Sequence, residues 1–164
     1  MNEFVLELKG LHKTYNSGKP NQIDVLSNAE LSLKEGEVVA LVAPSGAGKS
    51  TLLHIAGLLD TPDSGDVILK GEMLNVKSDA RRTIIRRRDI GFIYQFHHLL
   101  PEFSAAENMM IPQMADGIPR SKAYDRAGEL LSKVGLGSRV KHRPAELSGG
   151  EQQRASIARA IVNN

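Results

Sequence analysis

Cysteine and tryptophan are missing from this chain of 164 residues, and aromatic residues of any kind make up 4% of it. Without cysteine there is no disulfide and no thiolate metal site, a composition that fits the cytosol. Long apolar runs are missing too. No stretch approaches the roughly 20 apolar residues that a membrane-spanning helix needs, so any role at a membrane has to come through a partner. The first residues mix Glu3, Glu7 and Lys9 among apolar ones and do not read as a signal peptide. Charge of one sign is lacking: the formal net charge is +2, too small to argue for a nucleic acid or an anionic membrane surface. There is no internal repeat and no low-complexity tract. What is present, 41% hydrophobic and 24% charged residues, is an ordinary globular balance over a length that suits one domain.

Along the chain the apolar periodicity changes. Phe4, Leu6 and Leu8 alternate with Val5, Glu7 and Lys9, a period of two that predicts a strand. Residues 16–21 hold Ser17, Gly18, Lys19 and Pro20 and read as a loop. A second β pattern covers 23–33. The continuous apolar run at 38–42 predicts a buried strand, and 50–59 has helical periodicity. A short strand is expected at 67–69, a basic helix at 79–88 and a β segment at 90–94. Helices are expected at 105–110 and at 120–134. Pro119 and Gly135 frame the latter, as the preference for Pro at a helix start and Gly past its end requires. A last helix is expected from about Gly150 to Asn164. This order predicts an α/β core, β-rich at its N-terminal end, with a helical subdomain inserted at about 99–147.

The segment Ala43-Pro44-Ser45-Gly46-Ala47-Gly48-Lys49-Ser50-Thr51 lies between an expected strand and an expected helix. That is the context of a phosphate-binding loop. Small residues let backbone N–H groups curl around phosphates, and a helix N-terminus adds unsatisfied donors and a favourable dipole. Lys49 supplies a charge toward β- and γ-phosphates, and the Ser50 hydroxyl is placed to ligate Mg²⁺. The full pattern asks for Gly at position 43, where this chain has Ala43; Ala serves there if φ is negative and nothing approaches closely. The bland alternative is a glycine-rich turn with no ligand, which leaves Lys49 and Ser50 without a reason.

Further on stands Leu147-Ser148-Gly149-Gly150-Glu151-Gln152-Gln153-Arg154. Taken alone it is also an ordinary helix start, with Ser148 as cap and Glu151 three residues on completing a capping box. Beside the phosphate loop, it resembles the signature motif of the ABC ATPase family almost letter for letter.

The resemblance covers essentially all 164 residues. It implies a P-loop NTPase core of ABC type, an N-terminal β subdomain and P-loop core at about 1–98, and a helical subdomain with the signature and its helix at about 99–164. It implies ATP and Mg²⁺ as ligands and a second ATP-binding subunit packed head to tail. In that arrangement Ser148, Gly149, Gly150 and Glu151 face the γ-phosphate bound on the partner's loop. Tyr15 matches the aromatic that stacks on adenine, a contact worth roughly 1–3 kcal/mol; by itself it is equally a core or edge aromatic. Gln95 matches the glutamine that approaches Mg²⁺ and the attacking water; by itself it is a polar residue ending a strand. The runs Gly91-Phe92-Ile93-Tyr94-Gln95-Phe96-His97-His98-Leu99-Leu100-Pro101 and Ala106-Glu107-Asn108 resemble the ATPase of the Lol lipoprotein-releasing system. That implies integral membrane partner subunits, no nucleic acid, and a peripheral place on the cytoplasmic face of the bacterial inner membrane. The macrolide-exporter and cell-division ATPases are near alternatives, a soluble ABC protein of DNA repair or translation a further one, and a P-loop kinase or GTPase, which lacks the signature, the last.

Family members continue into a Walker B strand that carries an Asp and the general-base Glu. This sequence stops at Asn164 before it. The expectation is therefore an incomplete domain that binds ATP and hardly hydrolyses it, with the strand at 38–42 exposing a hydrophobic edge prone to association. Other features are left unpromoted. Arg81, Arg82, Arg86, Arg87 and Arg88 read as a solvated helix face, His97 and His98 as poor metal geometry, His54 as packed or half-exposed, and Met109, Met110 and Met114 as packing residues.

Overall fold

The computed structural model describes residues 4–74 and 78–163; expectations that fall on Glu3 and Asn164 lie outside them. The chain divides into two compact units, Met1–Thr83 and Ile84–Asn164.

The first unit is built on a sheet of order β2-β1-β3-β4, paired antiparallel throughout. Its strands are β1 (Phe4–Tyr15), β2 (Ile23–Lys34), β3 (Ser64–Leu69) and β4 (Glu72–Met73). β1 and β2 form a long hairpin closed by the loop anticipated at 16–21, with Tyr15 opposite Ile23 and Thr14 opposite Asp24. The buried residues of β1 are Glu7, Leu8, Leu11 and Lys13, and from Leu8 onward a step of three is followed by a step of two. A register shift between Leu8 and Leu11 accounts for it. An extra residue flips the pleat, so both leucines reach the core. Gly10 lies inside the shift with φ 58°, and a side chain at Gly65 on β3 would run into its backbone. Helix α1 (Lys49–Ala56) buries Leu52 and Ile55, three apart on one face. With Leu8, Leu11, Leu26, Leu58, Val67 and Leu74 they make up the core of this unit. Helix α2 (Asp79–Asp89) spans the boundary between the units.

Two expected strands are corrected. Residues 38–42 carry no regular structure, and their apolar side chains stand in solvent: Val38 is 95% exposed and Val42 88%. Residues 90–94 likewise form no strand. A strand exists only where a neighbour accepts its ladder, and neither segment has such a neighbour among the described residues. The hydrophobic hazard expected at 38–42 is thus an exposed apolar segment rather than the edge of a buried strand.

The second unit is helical: α3 (Ala105–Ala115), α4 (Arg120–Lys133) and α5 (Gly149–Ala160), with 3-10 turns at Gly137–Arg139 and Pro144–Glu146. Pro119 caps α4, and Gly135 follows it with φ 76°. The last helix ends at Ala160, short of the expected Asn164. One cluster holds the unit together, including Ala105, Met109, Leu131, Leu136, Ala155 and Ala158. Met109 and Met110 are buried as expected; Met114 is not, being 43% exposed on the outer side of α3. Asn108 is buried, and its amide closes the loop ahead of α3 by accepting from Leu100 N and donating to the carbonyls of Leu100, Phe103 and Ser104. The arginine run is more than a solvated face: Arg81 pairs with Glu72, Arg82 with Asp79, and Arg87 and Arg88 both with Asp116.

Candidate nucleotide-phosphate site

Loop 43–48 ends on Gly48, the N-cap of α1, with φ 82°. Gly46 has the same left-handed φ, a conformation that costs an L-residue roughly 1–2 kcal/mol. Gly48 has a second reason to be glycine. A Cβ there would sit 2.7 Å from the Val25 carbonyl oxygen and 3.1 Å from Leu26 on β2. The loop is therefore pressed against the hairpin by a backbone contact that admits no side chain. Ala43 is absent from the residues of positive φ, which outside glycine are Asn16, Asn28, Leu58, Lys70 and His98 among the described residues. Its backbone thus meets the φ requirement under which Ala replaces Gly.

No side chain caps α1, and its first turn carries no acid. The first N–H groups of a helix have no intrahelical acceptor, so this end offers unsatisfied donors and positive potential. The Lys49 ammonium bends back over the loop, donating to the carbonyls of Ala43 at 2.6 Å and Pro44 at 2.7 Å. Ser50 is exposed and Thr51 half-buried in the first turn, with Pro44, Ser45 and Ala47 exposed along the loop. This set fits a polyphosphate: backbone donors, one cation and a hydroxyl. Among the described residues no three of His, Cys, Asp and Glu gather to hold a metal ion. A hard cation here would take the Ser50 hydroxyl together with phosphate oxygens, the usual manner for Mg²⁺.

Tyr15 belongs to the same unit, at the end of β1, 39% exposed. Its hydroxyl donates to Asp60 Oδ2 at 2.9 Å, and the Lys13 ammonium lies 5.4 Å from its ring centroid.

The remaining expected residues lie in the second unit. Ser148 caps α5; its hydroxyl accepts from Glu151 N and donates to Glu151 Oε2 at 2.8 Å, and Ser148 N donates to the same carboxylate oxygen at 2.8 Å. The helix-cap reading of this stretch is therefore realised, and it leaves Gly149 and Gly150 exposed at the helix start. Arg139 donates to Glu151 Oε1 at 3.1 Å. These bonds, the Ser148 amide foremost, hold the Glu151 carboxyl at about 2, below its ordinary 4.5. Gln95 is exposed in an irregular segment. Two and three residues further on, the carbonyls of His97 and His98 accept from Arg159 near the end of α5, at 2.9 and 2.7 Å. The helix opened by the signature thus grips the backbone next to Gln95. Burial lowers the Arg159 pKa from its ordinary value.

Lys13, Asp60, Arg139 and Arg159 were not singled out from the sequence. Lys13 left a signal, since it lies two residues from Tyr15 and shares its face on a strand. The other three act across long separations and left none.

A glycine loop pressed onto a β-hairpin and releasing into an uncapped helix, with lysine and hydroxyl in its first turn, defines a P-loop nucleotide-binding protein. Relatives narrow the class. Residues 26–164 match the family described as ABC transporter. The chain is 60% identical to the lipoprotein-releasing system ATP-binding protein LolD of Roseobacter denitrificans, over 99% of this chain and 72% of that protein. It is 55% identical to the protein of the same name from Maricaulis maris, over 99% of this chain and 71% of that one. Among solved structures it resembles the dimeric ATP-binding cassette MJ0796 in a post-hydrolysis state bound to ADP and Pi, with TM-score 0.88 and 40% identity over 97% of this chain and 70% of that one. This chain belongs to the ABC transporter family, and within it to the ABC-type ATPases. No described helix is long and apolar enough to cross a membrane.

Proposed function

We propose that this chain is the ATP-binding subunit of a bacterial ABC transporter that energises lipoprotein release from the inner membrane. MgATP binds on Ala43, Pro44, Ser45, Gly46, Ala47, Gly48, Lys49, Ser50 and Thr51, with Tyr15 under the base. Ser50 and Gln95 serve Mg²⁺, and Gln95 also supports the attacking water. The observation that carries this reading is the uncapped start of α1, where left-handed Gly46 and Gly48 deliver Lys49 to the loop mouth. Ser148, Gly149, Gly150 and Glu151 serve the ATP of a second ATP-binding subunit packed head to tail. The dimeric cassettes of similar fold favour that pairing, and the 60% identity to a lipoprotein-releasing ATPase favours the cargo. Residues of about 1–98 act as the β subdomain and P-loop core and about 99–164 as the helical subdomain. The partners are integral membrane subunits, without nucleic acid, at the cytoplasmic face of the membrane.

Two measurements test this. Calorimetric titration with MgATP should give saturable binding that Lys49→Ala weakens by an order of magnitude or more, roughly the scale of a hydrogen bond to a charged group; equal affinity in the variant would refute the loop assignment. Affinity capture from detergent-extracted bacterial membranes should bring down a multi-spanning membrane subunit. Recovery of nucleic acid or ribosomal proteins in its place would overturn the transporter assignment.

A further inference from the structure

Asp60 lies just past the end of α1, the helix that the phosphate loop opens, and both of its carboxylate oxygens are used. Oδ2 accepts from the Tyr15 hydroxyl at 2.9 Å. Oδ1 accepts from Thr61 N at 2.7 Å and from the Lys13 ammonium at 3.2 Å. Lys13 is itself buried, 9% exposed, and also donates to the Thr61 carbonyl at 2.7 Å. Asp63 adds a second carboxylate 3.7 Å from Lys13 and accepts from Thr14 N at 2.6 Å. Burial raises the Asp60 pKa, but the bonds from Thr61, Tyr15 and Lys13 outweigh it, and the group lies below its ordinary value. An ionised carboxylate therefore holds the tyrosine by its hydroxyl while a buried ammonium holds the carboxylate.

The network sits beside the phosphate loop in the chain's register. Gly48 packs on Val25, and Ile23, two residues before it on β2, pairs with Tyr15. One end of the sheet thus carries both the loop and the ring. A half-exposed tyrosine can choose among rotamers, and ordering it on binding costs conformational entropy. A ring tethered beforehand escapes much of that cost.

We infer that Asp60, buttressed by Lys13, is a positioning residue that presets the Tyr15 ring as the platform for the nucleotide base. This rests on the proposed place of Tyr15 under the base. Tripolyphosphate shares the phosphates of ATP and lacks the base, so the two ligands separate a base contact from general damage to the loop. Displacement of a fluorescent nucleotide by MgATP and by magnesium tripolyphosphate provides the readout. Tyr15→Ala should weaken ATP roughly tenfold or more and leave tripolyphosphate unchanged. Asp60→Ala should weaken ATP by roughly 3- to 10-fold, the size of one net hydrogen bond, again without touching tripolyphosphate. Asp60→Asn, which keeps an acceptor for the hydroxyl, should recover most of that loss. Asp60→Ala added to Tyr15→Ala should cost nothing further. Equal losses for both ligands in Asp60→Ala, or no loss where Tyr15→Ala has one, would overturn the inference. No loss in Tyr15→Ala would overturn the place of Tyr15 itself. If Asp60→Ala does not fold, Tyr15→Phe decides: it removes only the tethered hydroxyl and should lose ATP affinity severalfold, and wild-type affinity there contradicts the preset ring.

Discussion

Two helix N-termini carry the sequence motifs of this protein, and they are finished in opposite ways. Helix α1 begins on a left-handed glycine with no side-chain cap and no acid in its first turn. Helix α5 begins on Ser148 with a complete capping box and Glu151 in its first turn. A helix start leaves several N–H groups unsatisfied, and a sequence can close that end with its own side chains or leave it for a ligand. The first motif leaves its end open and adds the cation of Lys49, so its electrostatics favour an anion strongly. The second motif neutralises much of its own end with Glu151 and ties that carboxylate to Arg139. A phosphate brought to α5 must compete with a carboxylate already there, whereas one brought to α1 replaces only the loop carbonyls as partners of Lys49. The contrast argues that primary nucleotide affinity resides in α1 and that α5 acts as a preformed, weaker face.

The contrast can be broken at either end. Lys49→Ala should give the largest effect, a roughly 10- to 100-fold loss of MgATP affinity, the scale of hydrogen bonds to a charged group. Calorimetry checks it, and thermal unfolding of the variant should change little because the ammonium bonds only to exposed loop carbonyls. Gly48→Ala comes next. The left-handed φ alone costs roughly 1–2 kcal/mol, and the overlap with Val25 adds to it; urea unfolding should register the loss. Ser148→Ala removes the cap of α5 and should cost about 0.5–2 kcal/mol of stability while leaving MgATP affinity of a single chain within twofold of wild type, roughly the additivity expected of separate sites. The smallest effect is on pH dependence. Glu151 has a folded pKa of about 2 against an ordinary 4.5, so the folded state binds its proton less readily than the unfolded one. Its contribution to stability is present above pH 4.5 and lost as pH falls toward about 2. Hydrogen-exchange protection at the start of α5, taken relative to the intrinsic exchange rate at each pH, should fall across that window, and Glu151→Gln should flatten the change.

Both motifs were legible because their chemistry is local. A loop of small residues, a lysine and a hydroxyl, or a serine three residues ahead of a glutamate, acts within one turn of helix. The hairpin, α1, α4 and α5 were legible by periodicity and by the pair Pro119 and Gly135. The bulge in β1 was not, because one inserted residue near Gly10 shifts the alternation that the eye follows. Residues 38–42 and 90–94 misled for the same reason as each other. Val38, Val39, Leu41 and Val42 have the composition of a buried strand, but composition supplies only one half of a ladder, and no neighbour supplies the second among the described residues. Met114 and the arginine run turned on which face of a helix meets its neighbour. Asp116, which ties down Arg87 and Arg88, carries no sign of that role in its own surroundings. Asp60 is the same case at the site, a single carboxylate in a turn whose partners Lys13 and Tyr15 lie far back in the chain.

Amide chemical-shift mapping with MgATP tests the asymmetry of the two helix starts most directly. The largest shifts should fall on the amides of Gly46, Gly48, Lys49 and Ser50, with those of Gly149 and Gly150 moving little at protein concentrations that keep chains apart. Shifts concentrated at Gly149 and Gly150, with the loop before α1 unmoved, would contradict it.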